Sequence, residues 1–431
     1  MGSVLLIKNG RLIDPANGID EKGDVLIVDE KFAEVGKIKK QDTETVIDAS
    51  GKLVVPGLID IHVHFREPGD EEEETISSGS AAAVAGGFTS VVCMPNTRPP
   101  IENETDVEYI HRKGRQARKT HVYTMGAITK NREGVELAEM GFMTEAGAIG
   151  FTDDSSGVQD AAVMLRALKY AGMFDVIIAQ HCQDNGYGGN GVMNSGYYST
   201  VLGLPGIDAL AEEAMLWRDI QLIRKIRPER IRYHVQHIST AGSVKLIREA
   251  KKESLPITCE VTPHHLLLTE ESCGEYDTNY KVNPPLRTAK DIKALKQAIA
   301  EGLVDALASD HAPHLQSEKE LEFLTAPFGI ASLECVLGLY VKALVEPGIV
   351  DWPGLVKLMT AGPASIIGID KGTLSIGKQG DVTIIDPEAE YEIDVNRFRS
   401  KSRNCPYHGW KVKGKVVKTI VGGEIRFSFC E

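Results

Sequence analysis

The sequence contains no CxxC pair, no low-complexity tract, no internal repeat and no apolar run of about 18 residues. Its seven cysteines (Cys93, Cys182, Cys259, Cys273, Cys335, Cys405, Cys430) are scattered and odd in number. That argues against a disulfide framework or a thiolate zinc site and for a reducing cytoplasm. Without a long apolar run no membrane span is expected. MGSVLLIKNGRLIDP has no basic segment followed by an apolar core and cleavage site, so no export signal is expected either. Cationic excess is missing too: 48 Lys and Arg against 61 Asp and Glu leave a net charge of −13, which disfavours nucleic acid as a partner. What is present is an ordinary globular balance, 42% hydrophobic and 25% charged, in 431 residues. That length exceeds one average domain, although barrels reach ~250 residues as one unit.

Residues 1–55 read as short strands and turns, with Asn9–Gly10 as a hairpin signal between alternating segments. Residues 367–431 have the same texture. One small β-sandwich domain assembled from both termini is therefore expected around a central unit, 56–366. In that unit strands alternate with helices. The strand in DIHVHF is followed by FTSVVCMPN, HVYTMGAI, AIGFTDD, DVIIAQHCQDN, IRYHVQHIST, ITCEVTPHH and VDALASDH. Helices are expected over ETISSGSAAAVAGG, AAVMLRALKYAG, AEEAMLWRDIQLIRKI and SVKLIREAKKE. Eight βα units in roughly 300 residues is the arithmetic of an α/β protein built on a TIM (β/α)8 barrel.

The stretch DIHVHFREPG carries the chemistry. In a strand, residues i and i+2 share a face, so Asp60, His62, His64 and Arg66 line one side. Ile59, Ile61, Val63 and Phe65 line the other. The remaining polar residues also fall at strand ends: Asn96, Asp154, His181, His237 and Asp310. In a barrel these ends share one mouth, where active sites lie.

A single buried histidine is ordinarily a hydrogen-bonded core residue. Four histidines and two aspartates gathered at strand ends instead suit Zn2+ or a similar ion, because imidazole and carboxylate are its natural ligands. Two ions are expected, since one would leave several ligands unpaired. His62, His64 and Asp310 are assigned to the first, His181 and His237 to the second, with Asp154 and a hydroxide bridging them. Two divalent ions, two carboxylates and a hydroxide leave about +1, and Arg66 adds to it. An anionic substrate fits such a mouth.

In order, the motifs DIHVHFREPG, MPNTRP, FTDD, HCQDN, HIST, EVTPHHLLLT, NPPLR, SDHAPH and APFGI resemble the dihydroorotases of the amidohydrolase superfamily across essentially the whole chain. FTDD resembles the bacterial group that uses an aspartate in place of a carbamylated lysine. The resemblance implies reversible interconversion of dihydroorotate and N-carbamoyl-L-aspartate in pyrimidine biosynthesis. A metal-bound hydroxide would be the nucleophile and Asp310 the general base and acid. Arg66, Asn96 and His314 would grip the substrate carboxylate, which suits a guanidinium's bidentate geometry. His64 would also touch substrate, and Asn283 with the backbone at Phe328 and Gly329 would meet the ring amide. A homo-oligomer, a dimer first, is implied, with docking on an aspartate transcarbamoylase left open.

The chain departs from the family at Gln183, where glutamate is usual, and in the tyrosine- and glycine-rich segment 186–203. His264 and His265 are taken as structural or as supporting a ligand. The segment 315–327 reads either as a mobile lid or as an ordered loop. Other cyclic-amide hydrolases, allantoinases and dihydropyrimidinases, are the nearest alternatives. Arg66 with Asn96 argues against a dihydropyrimidinase, whose substrate has no ring carboxylate. A catalytically dead scaffold of the same fold would have lost ligands, and none is missing here.

Overall fold

Strands from both ends of the chain meet in one eight-stranded sheet, in a computed structural model that describes residues 4–39, 45–226 and 231–429. Val4–Asp14 pairs antiparallel with Ile19–Val28 and parallel with Thr45–Asp48 and Leu53–Pro56. Val382–Glu392 joins Leu53–Pro56 antiparallel, and Lys411–Val421 and Glu424–Ser428 extend the sheet outward. Leu5, Ile7, Val25, Ile27, Phe32, Leu374, Val382 and Ile384 form its core. Asp14 fastens the two ends of the chain together: its Oδ2 accepts from Leu374 N at 2.7 Å and from Thr373 Oγ1 at 3.0 Å.

Asn9–Gly10 does not turn a hairpin. It lies inside the Val4–Asp14 strand, where the register against Ile19–Val28 shifts between Ile7 and Gly10. Asn9 takes the left-handed conformation, φ 64°, and its N–H is captured by Asp24 Oδ1 at 2.8 Å. A Cβ at Gly10 would sit 2.4 Å from Val54 Cγ2, so the glycine serves close packing at a bulge.

All eight strands expected in the central unit are present: Leu58–Val63, Phe88–Cys93, His121–Thr124, Gly150–Phe151, Ile177–Gln180, Arg232–Val235, Ile257–Val261 and Ala306–Leu307. The first three pair in parallel, as do the last five. Parallel bridges Gly126–Phe151 and Val63–His311 join the two sets, so the pairings return to the first strand. The architecture is mixed α/β, and its largest apolar cluster lies between these strands and the helices that follow them. No helix is long and apolar enough to cross a membrane among the described residues.

Local chemistry explains the helices. Thr75 caps Ile76–Ala85 by accepting from Ser78 N at 3.0 Å, while Ser78 Oγ accepts from Thr75 N in return. Gly79 on this helix admits the Phe65 ring, which a Cβ would meet at 2.4 Å. Asp160, Thr240 and Thr288 cap Ala161–Ala171, Ala241–Lys252 and Ala289–Ala300. The six cysteines among the described residues are free and buried, and Cys430 lies outside them.

Strict alternation along the first strand fails. Leu58, Val63 and Phe65 join the large cluster facing the helices. Ile59 and Ile61 instead pack with Val92, Met94, Ala179, Ala306 and Ala308. The pairing with Phe88–Cys93 is irregular between Asp60 and Val63, and that irregularity rotates the end of the strand.

Candidate metal centre and its surroundings

Despite that irregularity, the two histidines converge. Their ring centroids lie 5.2 Å apart, His62 is 5.1 Å from His237, and His237 is 4.5 Å from His181. Asp154, at the end of Gly150–Phe151, is common to all four. Its Oδ1 lies 3.5 Å from His62 Nε2, 3.7 Å from His181 Nδ1 and 3.7 Å from His237 Nε2. Its Oδ2 lies 3.6 Å from His64 Nε2. Asp310 Oδ1 completes the cluster, 3.1 Å from His64 Nε2 and 3.6 Å from His62 Nε2. His237 and Asp310 hold φ values of 28° and 46°. Such backbone in non-glycine residues costs on the order of 1–3 kcal/mol and concentrates at functional sites.

The electrostatics of this cluster call for a cation. Burial would favour neutral His62, but Glu260, Asp310 and Asp154 outweigh it and lift its pKa to about 10. Burial would raise both Asp154 and Asp310, yet the surrounding histidines hold each below the ordinary aspartate value. Two facing atoms have no hydrogen-bond partner although buried, His62 Nε2 and Asp154 Oδ1. Unpaired buried polar atoms are costly, and a divalent ion is the group these donors fit. His62, Asp154 and His237 form one set whose ligand atoms lie within 4.8 Å of one another, and His62, His64 and Asp310 form another.

Outer contacts orient these rings. Asn96 Oδ1 accepts from His64 Nδ1 at 2.9 Å, which leaves Nε2 free to face Asp310. Asp60 accepts from the backbone N–H of His62 at 3.1 Å and of Ser309 at 3.2 Å, holding two strand ends side by side. Burial lifts the Asp60 carboxyl to about 7. Glu260 was not singled out by its sequence, yet it is central: Oε1 accepts from His62 Nδ1 at 2.6 Å and Oε2 from His234 Nε2 at 3.2 Å. Its signal was there to find, as the one charged residue on the apolar strand ITCEV.

Beside the cluster opens a cavity of about 650 Å³. Arg66, Asn96, Asn283, His314, Phe328 and Gly329 all line it. Arg66 Nε pairs with Glu73 Oε2 at 3.0 Å, and one terminal nitrogen lies 3.1 Å from His314 Nε2. Asn283 Nδ2 lies 3.2 Å from His181 Nε2. Gly329, φ 146°, fits beside His314 because a Cβ there would lie 2.7 Å from Ala312. Gln183 reaches His181 Nε2 only at 3.5 Å, and Asn190, Gly191 and Val192 of the divergent segment form part of the wall.

Two lysines that carried no sequence signal pin the segment after His314. Lys281 Nζ donates to the carbonyls of Phe323 and Ala326 at 2.6 Å and of Leu324 at 3.2 Å. Lys319 Nζ donates to those of Pro327 at 2.9 Å and Gly329 at 3.3 Å. His264 and His265 stay outside the cluster: His264 bonds Tyr407 at 2.9 Å, and His265 bonds Thr262 at 2.7 Å and Pro284 O at 2.9 Å.

Residues 51–243 match a family model described as dihydro-orotase-like. The chain is 50% identical over 421 residues to the dihydroorotase of Pelotomaculum thermopropionicum, covering 98% of each. It is 46% identical over 422 residues to that of Geobacter sp. strain M21, again covering 98% of each. Among solved structures it is similar to the L-hydantoinase (dihydropyrimidinase) of Arthrobacter aurescens, with TM-score 0.84 and 27% identity over 99% of this chain and 96% of that one. The dihydropyrimidinase of Brevibacillus agri shares the fold, with TM-score 0.85 at 22% identity over 98% of this chain and 94% of that one.

Proposed function

This chain belongs to the dihydroorotase family, and from that premise we propose that it hydrolyses the cyclic amide of (S)-dihydroorotate to N-carbamoyl-L-aspartate and catalyses the reverse ring closure of pyrimidine biosynthesis. The observation that carries the reading is Asp154, ringed by four histidines and left with a buried, unpartnered Oδ1 beside a cavity lined by Arg66 and His314. The eight parallel strands are read as a TIM (β/α)8 barrel over 56–366. The terminal strands of 1–55 and 367–431 are read as a composite β-sandwich domain. The cluster would then sit at the barrel mouth.

His62, His64 and Asp310 would hold one Zn2+, His181 and His237 a second, and Asp154 both. Zinc bound there would lower the pKa of a coordinated water to ~7 and polarise an amide carbonyl. The chain's own residues do the rest. Arg66, Asn96 and His314 take the ring carboxylate, with Arg66 offering two parallel donors. Asn283 and the backbone at Phe328 and Gly329 hold the ring amide, turning its carbonyl carbon toward the metal ligands. Asp310, ionised at neutral pH, accepts the proton of the attacking water and passes it to the ring nitrogen as the C–N bond breaks. In ring closure Asp310 takes a proton from the ureido nitrogen as that nitrogen attacks the carboxyl carbon, and passes it to the carboxyl oxygen that departs as water when the C–O bond breaks. A cytoplasmic homodimer with this small-molecule substrate completes the reading.

Metal-replete and chelated protein assayed in parallel on dihydroorotate, dihydrouracil and allantoin tests it. Metal-dependent turnover of dihydroorotate alone is expected. Its absence, or a preference for dihydrouracil, would overturn the assignment.

A further inference from the structure

We infer that Glu73, His314 and Glu318 form an additional cation site, apart from the Asp154 cluster, that takes a divalent ion of the Mn2+ or Zn2+ kind. The three offer two carboxylate oxygens and one imidazole nitrogen, all within 4.8 Å of one another. His314 Nδ1 lies 3.5 Å from Glu73 Oε1 and 3.7 Å from Glu318 Oε2. Ligands bound at ~2.1 Å around a tetrahedral ion stand about 3.4 Å apart, so these separations already approximate the edges of a coordination shell.

A second observation makes this more than an acidic cluster. His314 is buried, its side chain only 10% exposed, and its Nδ1 has no hydrogen-bond partner. The other ring nitrogen, Nε2, lies 2.8 Å from the carbonyl oxygen of Phe328, which can only accept. Arg66 Nη2, which can only donate, lies 3.1 Å from the same nitrogen, so the ring proton is set by what meets Nδ1: an ion there takes its lone pair and leaves the proton on Nε2 for Phe328. Two carboxylates converge on the buried Nδ1 and neither bonds it, which leaves a place for a positive charge between them. The imidazole does not supply it readily, because burial and the cations Arg66 and Lys319 hold His314 well below the ordinary histidine value.

The two carboxylates are already oriented by other partners. Glu73 Oε2 is held by Arg66 Nε at 3.0 Å, and Glu318 Oε2 accepts from Leu315 N at 3.0 Å. Such outer contacts are what fix ligands around an ion. Glu73 and Glu318 are balanced by Arg66 and Lys319, and the neighbouring Asp70, Glu71 and Glu72 add a negative field. Zn2+ and Mn2+ accept this mixture of oxygen and nitrogen donors.

An ion on Nδ1 has a consequence that rests on the function proposed above. It holds the His314 ring in one orientation at the cavity wall, where that residue would help take the substrate carboxylate. It also ties the loop carrying Arg66 and Glu73 to the segment carrying Glu318 and Lys319. Glu73 and Glu318 are thereby positioning residues.

The test counts metal in the holoenzyme. Wild type, Glu73→Gln and Glu318→Gln are saturated with Zn2+ or Mn2+, desalted and measured by plasma mass spectrometry. Wild type is expected to hold one more equivalent per chain than either variant. Anomalous diffraction from Mn2+ should place that ion among the three side chains. In Glu318→Gln, KM for dihydroorotate is expected to rise about tenfold, with kcat falling less. Unaltered melting temperatures and unaltered Co2+ absorption of the main centre show that the variants remain folded and loaded. Equal metal counts in all three proteins would overturn the site and leave a proton shared between the glutamates. Failure of wild type to turn over dihydroorotate would strike the functional reading alone, because the metal count does not depend on it.

Discussion

Glu260 Oε1 stands 2.6 Å from His62 Nδ1, so a buried carboxylate on one strand decides which nitrogen of a histidine on another faces the aspartates. Burial would raise Glu260, but His62 and His234 bring its pKa down to about 2. It therefore stays ionised throughout the neutral range and keeps the His62 Nδ1 proton in place.

Glu260→Gln should keep the shape of this contact and lose its charge. Metal affinity is expected to fall about 10–100-fold, the usual cost of removing an outer partner of a ligand histidine. Competition with a chelator measures it, and an unchanged affinity would show that His62 needs no such anchor.

Asp310→Asn tests the proton carrier. The amide preserves volume and a ligand oxygen but cannot accept the proton, so kcat should drop about 10²–10⁴-fold with metal still bound. Near-normal turnover in a metal-loaded variant would exclude Asp310 as the base.

Arg66→Lys keeps the charge and removes the planar fork. KM for dihydroorotate is expected to rise about tenfold or more, with little change in metal content. An unaltered KM would mean that the carboxylate is held elsewhere.

Lys281→Met removes the ammonium that binds the carbonyls of Phe323, Leu324 and Ala326. Cleavage by a nonspecific protease within 315–329 should become about tenfold faster, and the melting temperature should fall by a few degrees. In wild type, dihydroorotate should protect the same segment if it closes over substrate. A cleavage rate equal to wild type would show that the lysine does not restrain the loop.

Acid should destabilise the protein through His264 and His265. Burial brings their folded pKa values to about 4 and about 3, whereas unfolded histidine titrates near ~6.5. Below pH ~6.5 the unfolded chain binds two protons that the native state refuses, so stability falls as pH falls toward 4. The contribution reaches a slope of about 2.7 kcal/mol per pH unit for two protons. Urea unfolding at pH 7 and pH 5 should show a difference that His264→Gln reduces by about one proton, and an unchanged slope would discount His264.

How much was legible follows from the range of the interactions. The eight parallel strands could be read from short apolar runs ending in polar residues, because a strand buried on both faces leaves a continuous apolar run and a punctuation signal within a few residues. The pairing of His62 with His64 was visible for the same reason. Asn9–Gly10 misled: its dipeptide signals a turn, but Val54, Ala49 and Asp24 convert it into a bulge within a strand. Those three neighbours are distant in sequence, and nothing local announces them.

The sequence by itself determined the kinds of donor, their placement at strand ends and the acidic, metal-seeking chemistry they share. Only the tertiary structure decided that Asp154 lies between four histidines, that Glu260 sets the His62 proton, and that Lys281 and Lys319 hold the wall of the cavity. Glu73 faces His314 across about 240 residues of chain for the same reason. Spacing along a strand dictates which side chains share a face. Which carboxylate or ammonium meets them there depends on how distant strands and loops close together.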